Sequence, residues 1–171
     1  MGEYFDQGKY FLPQLIASAE AMKNSIEVLE PLLQTGSAGE EMPVVVIATV
    51  EGDIHDIGKD IVVSLLRSER FEVIDLGVDV KPQRFVHALR TYHPNIILLS
   101  GLLSASVSAV ARTMKELNAE PGRRDTIIYI GGQCASEQLC TQTGADNWGY
   151  DTIYTVDFCK KVIENSYAKN N

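Results

Sequence analysis

At 171 residues with 45% hydrophobic content, the chain is long enough for one α/β domain with a short extension and apolar enough to give it a core. Fifteen Lys and Arg against 23 Asp and Glu leave a net charge of −8, which argues against nucleic acid as a partner, since phosphate backbones need clustered cations. No apolar run approaches the roughly 20 residues of a membrane span, and the opening Met1-Gly-Glu-Tyr-Phe-Asp6 has neither region of a signal peptide, so a cytoplasmic protein is expected.

In chain order, residues 11–34 come first. Leu15, Ala19, Met22, Ile26, Leu29 and Leu33 alternate at four- and three-residue intervals, which is one stripe of a helix. Pro13 suits its first turn. The polar stretch from Gln34 to Pro43 contains Gly and Ser and has no periodicity, so it reads as a linker. The division expected is a helical segment over 1–36, a linker over 37–42 and an α/β domain over 43–171. In that domain strands are predicted near 43–50, 71–76, 95–100, 126–131 and 147–150. Helices are predicted near 57–69, 82–92, 104–119, 135–143 and 153–167. Such alternation demands a parallel sheet with helices on both faces. Five strands in the order 2-1-3-4-5 make the flavodoxin-like, Rossmann-like doubly wound arrangement.

That order has a consequence for chemistry. Its topological switch lies between the first and third strands, and ligands bind in the crevice above their carboxyl ends. The loop after the first strand holds Asp53-Ile-His55-Asp56-Ile57-Gly58. The loop after the third begins Ser100-Gly101-Leu102 and carries Ser104 and Ser106, and the fourth strand closes on Gly131-Gly132. Forty-one residues separate Gly58 from Ser100, and 28 separate Leu102 from Gly131. Three distant motifs therefore meet at one crevice, where glycines admit a close approach of backbone to a ligand. A neutral imidazole is the commonest side-chain ligand of transition metals, and its second nitrogen usually donates to a carboxylate. Asp53 is placed to be that carboxylate for His55. Taken singly, a loop histidine is more often solvated, Gly58 is loop punctuation and Ser104 is an N-cap. The joint spacing outweighs those separate readings.

Together D-x-H-x-x-G, S-x-L and G-G resemble the cobalamin-binding domain of methionine synthase and of corrinoid methyl-carrier proteins. The resemblance implies that His55 replaces the cofactor's own base as the lower axial ligand of cobalt, with Asp53 and then Ser106 completing a hydrogen-bonded relay. Asp56, Ile57, Gly58, Leu102 and the lining residues Ser100, Ser104, Gly131 and Gly132 would contact cobalamin, the last four along its displaced nucleotide tail. The segment Glu3-Tyr-Phe-Asp-Gln-Gly-Lys-Tyr-Phe-Leu-Pro-Gln-Leu15 is similar to part of the family's four-helix cap over the upper corrin face, which assigns Phe5, Leu12 and Leu15 to that face. Most of a cap precedes this point in the family. One helix does not bury its own stripe, so upstream residues, a partner or a second copy in a homodimer would complete it.

The function implied is a methyl carrier that takes a methyl group from a substrate-specific methyltransferase and delivers it to an acceptor methyltransferase using a thiol or a folate, with a reductive activator as a further partner. Cobalamin would cycle between methylcobalamin and cob(I)alamin. The chain lacks the barrel of about 250 residues that a catalytic partner would contribute, so it is a component rather than a complete enzyme. A cobalamin-binding sensor or regulatory module is the alternative, although no helix-turn-helix pattern is visible. The small subunit of an adenosylcobalamin mutase fits less well, because mutase domains lack the Phe11-Leu-Pro-Gln14 cap segment. His87 and His93 fall at the wrong ends of their elements for the crevice. Cys134, Cys140 and Cys159 are expected as reduced thiols, Cys134 lining or packing near the tail, and Trp148 as a packing residue.

Overall fold

Val44–Thr49 is apolar along its whole length, as befits a strand covered on both faces, and in the computed structural model it forms β1 near the centre of a five-stranded sheet. The structure describes residues 42–169, with side chains through Ser166, and the helical residues Ala17, Ala21, Asn24, Ser25 and Val28. The expected positions Phe5, Leu12 and Leu15, the other stripe residues Ala19, Met22, Ile26, Leu29 and Leu33, and residues 37–41 of the linker lie outside the described residues. Contacts along the chain separate one unit, Met1–Gly36, from a second, Ser37–Asn171.

The second unit runs β1, α1 (Ile57–Ser68), β2 (Glu72–Asp75), α2 (Pro82–Tyr92), β3 (Ile96–Ser100), α3 (Ser106–Asn118), a short 3-10 helix (Pro121–Asp125), β4 (Ile127–Gly131), α4 (Glu137–Thr143), β5 (Asn147–Gly149) and α5 (Thr152–Lys169). All neighbouring strands are parallel, in the order β2-β1-β3-β4-β5. This is the doubly wound arrangement expected from the alternating pattern.

Successive side chains leave a strand on opposite faces, so each apolar run feeds two cores. Val46, Ala48, Ile97, Leu99, Ile128 and Ile130 pack with Phe85 and Leu89 of α2, Val110 and Met114 of α3 and Leu139 of α4. Val45, Ile47, Ile96, Leu98 and Tyr129 pack on the other face with Val62 and Leu66 of α1 and Val156 and Cys159 of α5. Trp148 is partly buried against the first of these cores. Cys134, Cys140 and Cys159 are free thiols.

The register decides what stands at the carboxyl edge. Thr49 pairs with Ser100, Ser100 with Gly131 and Gly131 with Gly149, so these four residues form one row across β1, β3, β4 and β5. Above this row the loops after β1 and β3 face each other across the switch point.

Most element ends shift from expectation by a residue or two, and three departures have a local cause. The 3-10 helix Pro121–Asp125 fills a stretch with no predicted element, opened by Pro121, which suits a first helical turn. The third helix begins at Ser106 rather than 104, because residues 103–105 form a turn closed by the Ser106 amide on the Leu103 carbonyl at 2.9 Å. The fourth begins at Glu137 rather than 135, where the Ser136 hydroxyl accepts the Leu139 amide at 3.1 Å as an N-cap.

Candidate functional site

The loop after β1 is built before it carries any chemistry. Val50 extends the strand by one bridge to Val80. Gly52 then turns with a φ of +80°, a conformation open to glycine, and its amide donates to Asp79 Oδ1 at 2.7 Å. Asp79 returns its own amide to the Asp53 carbonyl at 3.0 Å. The Thr49 hydroxyl, in the row at the sheet edge, donates to the His55 carbonyl at 3.0 Å. Asp53 and His55 are therefore held from both sides.

Asp53 is fully buried and accepts five hydrogen bonds. Its Oδ1 receives the His55 amide at 3.1 Å and the His55 ring Nδ1 at 2.7 Å. Its Oδ2 receives the Ser106 hydroxyl at 2.6 Å and the amides of Leu102 at 2.7 Å and Leu103 at 3.3 Å. Burial pushes this carboxyl group up, but the bonds from Ser106, Leu102 and His55 outweigh it and hold its pKa well below the usual carboxylate range. Asp53 is thus a charged acceptor with both oxygens engaged. A carboxylate only accepts, so His55 Nδ1 carries the hydrogen, and in the neutral ring Nε2 is then the nitrogen with the lone pair. The His55 side chain is half exposed at 49%, which leaves that nitrogen within reach of a ligand above the sheet.

Beside this cluster lies a cleft between α1, α5 and the carboxyl ends of β1, β3 and β4. Gly58 and Lys59 of α1, Ser100, Gly131 and Gly132 at the sheet edge, Tyr129 on β4, and Tyr150 to Thr152 with Thr155 at the start of α5 line it. The glycines have different tasks. A Cβ on Gly132, whose φ is +90°, would stand 2.4 Å from the Gly101 carbonyl, so close packing of two loops requires it. A Cβ on Gly58 would meet nothing within 4 Å, so its absence leaves cleft space open. Lys59 is buried with its ammonium 2.7 Å from Asp60 and 2.5 Å from Asp75. Burial alone would lower its pKa, and the two carboxylates raise it instead.

Sequence-identified residues divide accordingly. Asp53, His55, Ser106 and the Leu102 amide form one cluster, and Gly58, Ser100, Gly131 and Gly132 form the cleft beside it. Ser106 is the first residue of α3 and buried, rather than part of the preceding loop. Ser104 is exposed and lines no part of the cleft, and the N-cap of α3 is Ala105, not Ser104. Asp56 is the N-cap residue of α1, and Ile57 and Leu102 are exposed at 41% each near the crevice. His87 and His93 are exposed, His87 on α2 and His93 just after it. Cys134 is buried, and a Cβ on Gly101 would stand 2.6 Å from its sulfur. Sequence reasoning missed Asp79, Leu103, Tyr129 and Thr155. Only Asp79, within Gly77-Val-Asp79, carried a turn signal.

The donor set says what kind of metal centre fits. Among the described residues no group of three or more His, Cys, Asp or Glu is arranged to hold a metal ion. A single oriented imidazole suits a metal whose other ligands arrive with a cofactor, and the open space at Gly58 admits a tail beside it. Among the described residues no helix is long and apolar enough to cross a membrane.

Comparison with known proteins identifies the family. Residues 43–157 match the B12 binding domain family, and residues 1–30 match a second family also described as a B12 binding domain. The chain is 37% identical over 164 residues to dimethylamine corrinoid protein 3 of Methanosarcina mazei, covering 95% of this chain and 98% of the relative. The monomethylamine corrinoid protein structure of Methanosarcina barkeri superposes with a TM-score of 0.80 at 30% identity, over 94% of this chain and 76% of that one. The methanol:cobalamin methyltransferase complex of the same organism contains a chain with a TM-score of 0.66 at 27% identity, over 95% of this chain and 61% of that one. The chain belongs to the B12-binding domain family, among the corrinoid proteins of methyltransferase systems, and its cofactor is cobalamin.

Proposed function

We propose that the protein carries a methyl group between a substrate-specific methyltransferase and an acceptor methyltransferase using a thiol or folate-type acceptor, with cobalamin bound base-off and His55 beneath the cobalt. The observation that carries this reading is the His55 Nδ1 contact to buried Asp53, which leaves Nε2 as the ligating nitrogen at the rim of a glycine-lined cleft. When bound, the cobalt supplies the nucleophile that accepts a methyl group and the carbon–metal bond that later gives it up.

The chain's own residues do the rest. Asp53 fixes the tautomer and orientation of the ring, and Ser106 with the Leu102 and Leu103 amides fixes Asp53. Gly58, Ser100, Gly131 and Gly132 accommodate the displaced tail, so that the cofactor's own base leaves the metal to His55. Phe5, Leu12 and Leu15, which lie outside the described residues, are assigned to the cofactor's opposite face by the family resemblance alone. A reductive activator and a cytoplasmic setting follow from the need to keep cobalt reduced. The relatives named for methylamines point to a small methylated donor.

The test is reconstitution with hydroxocobalamin and reduction, followed by a methylamine:corrinoid methyltransferase with mono-, di- or trimethylamine. Appearance of the methyl-cobalt absorption spectrum with one of these donors is the predicted result. A chain that binds cobalamin but is methylated by no methyltransferase, and keeps an unchanged spectrum when His55 is replaced by Ala, would leave the carrier reading without support.

A further inference from the structure

The loop after β2 carries a backbone feature that the roles above do not use. Among the described residues, three other than glycine adopt a positive φ: Arg70 at 66°, His93 at 45° and Asp79 at 52°. Arg70 and His93 stand at the ends of α1 and α2, where a left-handed residue is ordinary. Asp79 ends no helix. It stands between β2 and α2, and its conformation turns it onto the loop that bears His55.

What Asp79 meets there is a turn. Residues 50–53 are closed by the Asp53 amide on the Val50 carbonyl at 3.1 Å. Gly52 has a φ of +80° and Glu51 does not share the positive φ, which is the type II pattern. The closing bond of such a turn uses neither group of its central peptide, so the Gly52 amide needs a partner outside the turn. Asp79 is that partner, with Oδ1 accepting the Gly52 amide at 2.7 Å while its own amide donates to the Asp53 carbonyl at 3.0 Å. Glycine also permits the type I form, in which the peptide between Glu51 and Gly52 is turned over and its amide points elsewhere. The Asp79 carboxylate therefore holds the turn in one of two forms.

The loop that carries Asp79 is itself fixed. Asp75 Oδ1 accepts the Gly77 amide at 2.9 Å, the Gly77 carbonyl accepts the Thr49 amide at 3.0 Å, and Val80 bridges to Val50. The Asp53 carboxylate, by contrast, is gripped from the β3–α3 side by Ser106 and the Leu102 and Leu103 amides. The two supports do different things. Asp53 decides which ring nitrogen of His55 carries the hydrogen, whereas Asp79 acts on the backbone that leads into His55. We infer that Asp79 is a positioning residue for the cobalt ligand: by fixing the turn through 50–53 it holds the His55 ring where Nε2 can reach the metal. The inference rests on ligation of cobalt by His55, as proposed above.

The experiment compares Asp79→Gly and Asp79→Asn with the parent, all as the full chain. Glycine keeps the left-handed backbone and removes the acceptor, while asparagine tolerates that backbone and still accepts through its carbonyl oxygen. Each chain is titrated with hydroxocobalamin, and its Co(II) complex, prepared with nitrogen-15 histidine, is read by electron paramagnetic resonance. Asp79→Gly should bind about three- to tenfold more weakly, the worth of one hydrogen bond, with a smaller fraction of cobalt split by a histidine nitrogen. Asp79→Asn should lie within about twofold of the parent. In the cofactor-free Asp79→Gly chain the Gly52 amide should exchange faster, while nitrogen NMR should still show the His55 hydrogen on Nδ1. Asp79→Gly that binds within twofold of the parent with its histidine splitting intact overturns the inference alone. So does a deficit that asparagine fails to restore, or a change in the His55 tautomer. Splitting in the parent that comes from no histidine overturns the inference together with the His55-ligated reading beneath it. Should Asp79→Gly fail to fold, Asp79→Ser, whose side chain ends one bond sooner, takes its place in the titration, and an unprotected Gly52 amide in the parent also overturns the inference.

Discussion

Replacing Asp53 by Asn changes one oxygen into an amide nitrogen, and the surroundings decide where that nitrogen goes. On the Oδ2 side it would face the amide hydrogens of Leu102 and Leu103, neither of which can turn away, and the Ser106 hydroxyl, which can. On the Oδ1 side it would face one fixed hydrogen, the His55 amide, and a ring that can change tautomer. The amide group therefore turns toward His55. The imidazole then accepts through Nδ1 and carries its hydrogen on Nε2, the nitrogen needed for metal ligation.

Two magnitudes follow. Bonds to a charged acceptor are worth about 1.5–3 kcal/mol and to a neutral one about 0.5–1.5 kcal/mol, and one amide hydrogen is left facing another. Relief of a buried charge offsets part of this, so a loss of about 2–4 kcal/mol in folding stability is expected. Cobalamin affinity should fall about 10–100-fold, the usual effect of losing the partner that orients a metal ligand. Urea unfolding of the cofactor-free chain measures the first, and a spectroscopic titration measures the second. Nitrogen NMR of the histidines, with His55→Ala assigning the signal, reports the tautomer directly. An Asp53→Asn chain that keeps its hydrogen on Nδ1 and binds cobalamin within twofold of the parent would refute the reasoning.

Gly132→Ala should destabilise the fold by at least about 2 kcal/mol, since it places a side chain at φ +90° and 2.4 Å from a carbonyl; equal urea midpoints would contradict this. The alkaline limb of stability has a definite sign. Burial pushes the Cys134 thiol up to about 11, Cys159 to about 12 and the Tyr129 phenol to about 12, from ordinary values of 9.0 for the thiols and 10.0 for the phenol. The folded state thus holds protons that the unfolded chain releases, so stability is full below about pH 9 and falls as pH rises toward 11 and 12. Urea midpoints at pH 7, 9 and 10.5 should be level and then drop, and a midpoint that rises with pH would reverse the assignment.

What the sequence shows and hides follows from which groups carry a residue signature. The runs Val44–Thr49 and Ile96–Ser100 advertise buried strands, and their spacing with the intervening helices is enough for the order β2-β1-β3-β4-β5. The switch point then brings Asp53, His55 and Ser106 together without any need to know a contact. Backbone donors leave no such mark. The Leu102 and Leu103 amides complete the Asp53 site, yet any residue supplies an amide. Ser104 looked like a lining residue from its type and place, but the turn through 102–105 leaves it exposed. Tyr129 read as one more strand residue, because alternation within a doubly covered strand is invisible when both faces are apolar.

The claim that His55 binds cobalt is tested most directly by electron paramagnetic resonance of the Co(II) form, with the chain prepared using natural-abundance and nitrogen-15 histidine. An axial nitrogen splits the cobalt lines into triplets when it is nitrogen-14 and into doublets when it is nitrogen-15. Triplets in the unlabelled protein that become doublets on labelling, and that vanish in His55→Ala, are the predicted result. Triplets that persist in the labelled protein would place the cofactor's own base on the metal and contradict the account.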